Sequence, residues 1–376
     1  MLPFILAGFT AFLSLYAPQP LLPLFERVFG ADHFHSSFAI TATTMAVAMA
    51  APFVGRVADL VGKRRVIVTA AFVLALATLM AATARSLNEV IAWRFAQGIA
   101  TPGVFAVAVA FIHDRWEGAR AATTTAAYVT GTVVGGFLGR VVSGQAAAIW
   151  GWRASFLSIG VLSLACAVTL AMQLPPDSAK HAAHADPHAK PTGLWSRLTG
   201  RALLGTYAAG FCVLFTQIAM FTYVTFHLAG PPFMLSTAAL GWLFAVYLAG
   251  AVVTPASGRW INAYGYRATL AIAMALGVVG SLLTLGHALA AVVVGLALVC
   301  SGVFIAQAAA NGYIGVAAKS DRGLAVGMYA TCYYIGGSLG GVLPAVFWNT
   351  GGWTASVALV IVVQVTTAVL GWVFWA

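Results

Sequence analysis

Gly55-Arg56-Val57-Ala58-Asp59-Leu60-Val61-Gly62-Lys63-Arg64-Arg65 and Gly258-Arg259-Trp260-Ile261-Asn262-Ala263-Tyr264-Gly265-Tyr266-Arg267 are two versions of one loop. Glycine and arginine open each, a second glycine follows seven residues later, and arginine closes it. Long apolar segments flank both. Arg120 and Arg322 lie 202 residues apart, as do Gly135 and Gly337, and Gly139 and Gly341; Gly151-Trp152-Arg153 is echoed by Gly351-Gly352-Trp353. A chain that repeats itself over half its length is a duplication, and the apolar setting makes it a duplicated membrane protein.

Composition agrees. The 376 residues are 61% hydrophobic and 7% charged, whereas a soluble domain is about one quarter charged. The net charge of +10 does not indicate nucleic acid, because the basic residues are scattered among short loops and form no stripe. Cys166, Cys212, Cys300 and Cys332 all fall in apolar stretches without CxxC spacing, so they read as packing residues, with neither disulfide nor metal implied. The first apolar run lacks a basic lead-in and ends in prolines; it reads as a retained span, not a cleaved leader.

A helix needs about 20 apolar residues to cross the hydrocarbon core. Twelve spans are predicted: 2–25, 37–58, 66–84, 88–112, 121–146, 153–173, 202–226, 238–257, 267–287, 290–316, 323–347 and 354–375. The expected architecture is an all-α membrane protein with an N-terminal six-helix bundle (1–173), a polar Pro- and His-containing linker (174–201) and a C-terminal six-helix bundle (202–376). The two bundles should be related by a pseudo-two-fold axis along the membrane normal. If the loop at 55–66 faces the cytoplasm, so do 14 of the 19 lysines and arginines. That bias puts both termini and the linker in the cytoplasm.

Several side chains carry chemistry. Gly55 and Gly62, with Gly258 and Gly265, permit tight turns. Arg56, Lys63 and Arg64, with Arg259 and Arg267, suit anionic lipid heads. Asp59 fits a helix end or a nearby arginine. Arg94 and Arg140 lie inside spans, where a charge is costly unless paired, hydrated or able to snorkel, and Arg140 is read as the nearer to the outer surface. Gly131, Gly135 and Gly139, with Gly337 and Gly341, recur every four residues and predict close helix packing along the seam between the halves. Tyr16, Gln19, Arg94, Gln97, Gln217, Tyr223, Tyr247, Gln307, Asn311, Tyr329 and Tyr333 are the polar and aromatic candidates for a central cavity. Such a lining suits a neutral or lipophilic-cationic small molecule better than a multivalent anion. Glu26, Asp32, Arg94 and His227 are the candidates for ion coupling, since no carboxylate falls in mid-span. Gly336-Gly337-Ser338-Leu339-Gly340 mimics a nucleophile elbow but lies inside a span, and no Walker A loop occurs, so neither hydrolysis nor ATP is indicated. No cofactor or metal is expected; His181, His184 and His188 read as part of the polar linker.

The segment 55–65 resembles the signature loop between helices two and three of the major facilitator superfamily. Arg94-Phe95-Ala96-Gln97-Gly98 is similar to that family's span-four arginine motif. Tyr128 to Gly139 resembles the glycine-rich fifth helix of its twelve-helix drug/proton antiporters, with Gly136 where proline is common. The resemblance implies alternating access, export of small compounds, proton antiport, a monomer, and residence in a bacterial cytoplasmic (inner) membrane. It further implies a cytoplasmic gate in which Asp59, Arg115 or Arg120, and the start of span eleven at Arg322 latch the halves together. A sugar or metabolite carrier is the alternative, and a membrane-embedded enzyme or receptor the remote one.

Overall fold

In the computed structural model, residues 1–177, 200–318 and 322–375 are described; most of the expected linker, 178–199 with its three histidines, lies outside them. The helices are α1 (Leu2–Leu15), α2 (Leu22–Phe29), α3 (His33–Val61), α4 (Lys63–Ala82), α5 (Leu87–Arg115), α6 (Gly118–Trp150), α7 (Trp152–Gln173), α8 (Arg201–Ala229), α9 (Thr237–Leu243), α10 (Val246–Leu283), α11 (Leu289–Ala317) and α12 (Arg322–Phe374). Eleven helical stretches among the described residues are long and apolar enough to cross a membrane. The last of them makes two crossings. α12 reverses at Gly351 and Gly352, the latter at φ 59°, and Ser356 Oγ donates to the Pro344 carbonyl at 3.5 Å. α10 reverses at Gly265, whose φ of 76° suits a residue without Cβ. Gly250 and Ala273, on either side of that turn, both reach the same stretch of α11, at Cys300 to Phe304. Twelve crossings result.

The expected single first span is broken. Pro18 has no N–H to donate to the Ser14 carbonyl four residues back, so α1 stops at Leu15. A 3₁₀ turn at Gln19–Leu21 follows, and α2 begins a new segment. Span five is longer than predicted, running to Trp150.

The spaced glycines of span five do not form the seam between the halves. A Cβ on Gly131, Gly135 or Gly139 would strike the backbone carbonyls of Ile5, Phe9 or Leu13, so this face of α6 lies on α1 within the first half. In the second half the matching contacts belong to Gly336 and Gly340, which lie on Phe211 and Phe215 of α8. The repeat of close contacts is thus one residue out of register with the sequence echo. Gly337 instead meets Leu214 and Ile218, and Gly341 meets Thr41 of the other half. Where the halves do approach backbone to backbone, Gly144 of α6 faces Gly241 of α9. Small residues permit such approach in lipid, where dispersion and hydrogen bonds must hold helices together.

The described chain ends near Phe4 and at Trp375, the 55–65 loop and residues 174–177 share one end of the molecule, here called the linker end. One apolar cluster runs through both halves and includes Leu22, Phe25, Phe226 and Trp353 of the far end. A second, built on Phe4, Ile67, Phe111 and Leu170 toward the linker end, contains first-half residues alone. Among the described residues, the apolar core therefore joins the halves at the far end and not at the linker end.

Candidate functional site

Between the halves lies a cavity of about 760 Å³, within the range of small-molecule sites. Its first-half wall is α1 and α6, contributing Phe12, Tyr16, Tyr128, Phe137 and Arg140; its second-half wall is α8, α10, α11 and α12, contributing Gln217, Tyr247, Phe304, Gln307, Asn311 and Tyr333. Thr125 and Thr254 extend the lining toward the linker end. Of the eleven residues expected to line a cavity, six do: Tyr16, Gln217, Tyr247, Gln307, Asn311 and Tyr333.

The other five have different places. Tyr329 stacks on Tyr333 at 5.8 Å and covers Gly210. Tyr223 donates its hydroxyl to the Gly341 carbonyl at 2.9 Å. Gln19 is fully buried in the roof, accepting from Arg140 Nε at 2.7 Å and donating to Thr222 Oγ1 at 3.4 Å. Arg94 and Gln97 lie within the first half. Arg94 is 1% exposed. Its Nε donates to the Ala39 carbonyl at 2.9 Å and its Nη1 to the Ser14 carbonyl at 2.8 Å. Nη1 also donates to Gln97 Oε1, and Nη2 to the Leu15 carbonyl. Ser14 and Leu15 are carbonyls left open by the break at Pro18. A cation at that helix C-terminus also meets the negative end of the dipole. Arg94 is a cap on α1 that ties it to α3 and α5, with every nitrogen engaged.

Arg140 does not reach the surface as its position in the sequence suggested. It lies ten residues before the end of α6, about 15 Å of helix rise, and is 2% exposed. Its guanidinium carbon lies 4.9 Å from the Tyr16 ring and 4.6 Å from those of Phe244 and Tyr247. It is the one charged side chain among the cavity-lining residues, where the sequence favoured a side chain snorkelling to the surface. Its surroundings are set by residues distant in sequence, which span hydropathy does not reveal.

The far end is closed. Among the described residues, the hydrogen bonds that join the halves are Gln19 to Thr222, Thr41 Oγ1 to the Ser338 carbonyl at 3.3 Å, and Ser338 Oγ to Thr44 Oγ1 at 3.0 Å. Above them, His33 rests on Phe226 at 4.6 Å and on Trp348 at 4.9 Å. Its Nδ1 is 3.0 Å from Glu26 Oε1. Asp32 caps α3 by accepting from the His35 amide at 2.7 Å. His227 stacks on Trp353 at 5.0 Å. Among the described residues, Glu26 is the coupling candidate with an ion-pair partner, His33.

At the linker end, Gly62 turns the chain at φ 101°. Lys63 bonds Asp114 and lies 3.6 Å from Asp59. Arg64 donates from Nε to the Leu174 carbonyl at 2.9 Å and from Nη2 to the Ala171 carbonyl at 2.7 Å. Arg115 donates to the Pro176 carbonyl at 2.9 Å, and Arg120 lies over the Trp116 ring. These partners all belong to the first half. Among the described residues, Asp59 thus meets Lys63 of its own loop. In the second copy Arg267 donates to the Trp375 carbonyl, while Gly258, Arg259 and Gly265 lie along α10 and Arg56 along α3. For Arg322 the structure gives its place at the start of α12.

Two like-oriented six-span bundles, closed at one end around a lined cavity, define a membrane carrier. The chain belongs to the Major Facilitator Superfamily, whose family model matches residues 4–233. It is 29% identical to the inner membrane transport protein YnfM of Escherichia coli (strain K12) over 97% of its length and 88% of the relative's. It is 28% identical to the uncharacterized MFS-type transporter YybF of Bacillus subtilis (strain 168), over 95% of its length and 88% of the relative's. Among solved structures, the nucleoside transporter NupG superposes with a TM-score of 0.79 at 13% identity, covering 100% of this chain and 99% of the other. At that identity the likeness is one of fold.

Proposed function

We propose that this carrier exports small, predominantly lipophilic compounds by alternating access, with proton entry as the driving force. The observation that carries this reading is the lining of the cavity, aromatic and uncharged polar apart from Arg140, whose lower residues, Thr125 and Thr254, point the way to the linker end. With the linker end cytoplasmic, as the lysine and arginine bias indicates, the structure corresponds to the cargo-loading state. The setting is a bacterial inner membrane, as for YnfM.

For the proton, the reading places Glu26 and His33 at the far-end closure. The pair is 3.0 Å apart, and the His33 ring also touches the second half. Opening the far end separates that ring from Phe226 and Trp348 and exposes the pair to the outside. For the gate, Asp59 and Arg115 stand ready to meet the second half when the linker end closes, exchanging their present first-half partners. Asp59→Asn should lower flux while the protein folds and reaches the membrane in normal amount. Normal flux in that variant would remove the gate assignment.

The test of the whole reading is transport in sealed proteoliposomes with an imposed pH gradient, offering lipophilic dyes and sugars together. Uptake of dyes that follows the gradient and falls in Glu26→Gln is expected. Exchange that ignores the gradient would remove the antiport, and selective sugar movement would favour a metabolite carrier instead.

A further inference from the structure

Arg140 poses an electrostatic question that the carrier reading alone leaves open. A guanidinium in mid-membrane costs several kcal/mol unless its charge is compensated. Three kinds of neutral group compensate it here. Nε donates to Gln19 Oε1 at 2.7 Å and Nη1 donates to the Gly136 carbonyl at 2.6 Å. Three ring faces, those of Tyr16, Phe244 and Tyr247, surround it within 5 Å. Nη2 is buried without a hydrogen-bond partner. Among the described residues the ion pairs are Glu26 with His33 and Lys63 with Asp59 and Asp114, so Arg140 has no carboxylate. Nor does any acid line the cavity whose wall it forms. Arg94, at similar burial, has every nitrogen engaged by a fixed acceptor. Arg140 retains an unpartnered charge-bearing donor at the edge of a cavity large enough for a cargo molecule.

We propose that Arg140 is the docking point for a single anionic group on the transported compound, making the cargo an amphipathic organic anion such as an arene carboxylate. The inference rests on the carrier reading and narrows its substrate class. It also departs from the neutral or cationic cargo that the uncharged lining suggested from sequence. A cationic cargo would meet a like charge with no acid to offset it. An anion supplies the missing counter-charge and accepts from Nη2, and charge-assisted hydrogen bonds of this kind are the strong ones. Phe12, Phe137 and Phe304 accommodate the apolar body, and Gln307 and Asn311 its neutral polar substituents. The anion reaches Nη2 by displacing one of the covering rings. Because the cage draws Tyr16 and Gln19 from the first half and Phe244 and Tyr247 from the second, occupancy is felt by both halves. When the halves part, the guanidinium leaves some of its rings, and a bound anion keeps its charge compensated through that step.

The decisive experiment uses the full chain in lipid nanodiscs and three probes of one shape: naphthoate, naphthamide and naphthylmethylammonium. Equilibrium binding should favour naphthoate over the amide by about 30-fold, the scale of a charge-assisted hydrogen bond, with the ammonium weakest. Arg140→Gln should erase that preference, bringing naphthoate down to the level of the amide. Arg140→Lys should keep the preference at weaker affinity, because it retains charge without the planar fork. If Arg140→Gln fails to fold, the wild-type probe order and the lysine variant decide. Equal or tighter binding of the amide or the ammonium, an unchanged preference in a folded Arg140→Gln, or no binding of naphthoate would each overturn the proposal. Failure of the carrier reading looks different: none of the three probes accumulates in sealed proteoliposomes, whatever their order of binding in nanodiscs.

Discussion

Arg94 and Arg140 lie in the same half, both nearly sealed from solvent, yet their surroundings are opposite. Arg94 faces backbone carbonyls that the break in span one leaves open, and each of its nitrogens is engaged. Arg140 faces rings, one amide and one backbone carbonyl, and one nitrogen has nothing to bond. Burial alone therefore does not tell a structural charge from a functional one; saturation by fixed acceptors does. The first arginine holds three helices of one bundle. The second stands where the bundles meet the cavity.

The largest expected effect comes from emptying the first site. Arg94→Met leaves the Ser14, Leu15 and Ala39 carbonyls buried without their donor and should cost roughly 3 kcal/mol or more. Thermal unfolding in detergent should show a large drop, with little monodisperse protein recovered. Arg140→Met should fall within about 1 kcal/mol of the parent, since it removes a buried charge along with its modest compensation. Equal losses in the two variants would break the comparison. Arg94→Lys should be intermediate, at roughly 2 kcal/mol, because one ammonium cannot span acceptors arranged for a planar fork; the same unfolding assay checks it. Gln97→Leu removes one of the two acceptors on Arg94 Nη1 and should cost about 1 kcal/mol. The smallest change is Gln19→Ala, which leaves Arg140 Nε unpartnered and breaks the bond to Thr222. A loss of about 1 kcal/mol or less is expected in the unfolding assay.

These two sites also mark how far the sequence could be read. Twelve crossings and the duplicated loop were legible because hydropathy and glycine spacing are local signals that need no partner. Span one was expected unbroken from 2 to 25 despite Pro18 and Pro20, and what satisfies the carbonyls that its break frees is a side chain 79 or 80 residues further along the chain. Arg140 was misplaced because the end of span five was expected at residue 146, whereas α6 continues to Trp150. The additional turn leaves the guanidinium too deep to snorkel. Its aromatic neighbours Phe244 and Tyr247 come from the other half, and no periodicity within α6 could name them. The glycine ladder was legible as close packing but not as to its partner. Its echo in α12 is displaced by one residue, a shift that only the contacts with Phe211 and Phe215 reveal.

The interruption at Pro18 has a mechanical consequence. Bending an intact helix breaks backbone bonds at the moment of bending, and in lipid no water replaces them. Here those bonds are absent from the outset, and a guanidinium on α5 keeps the orphaned oxygens occupied. The short far-end segment Leu22–Phe29, which carries Glu26, is thereby joined to the rest of the span without the backbone bonds that bending would have to break.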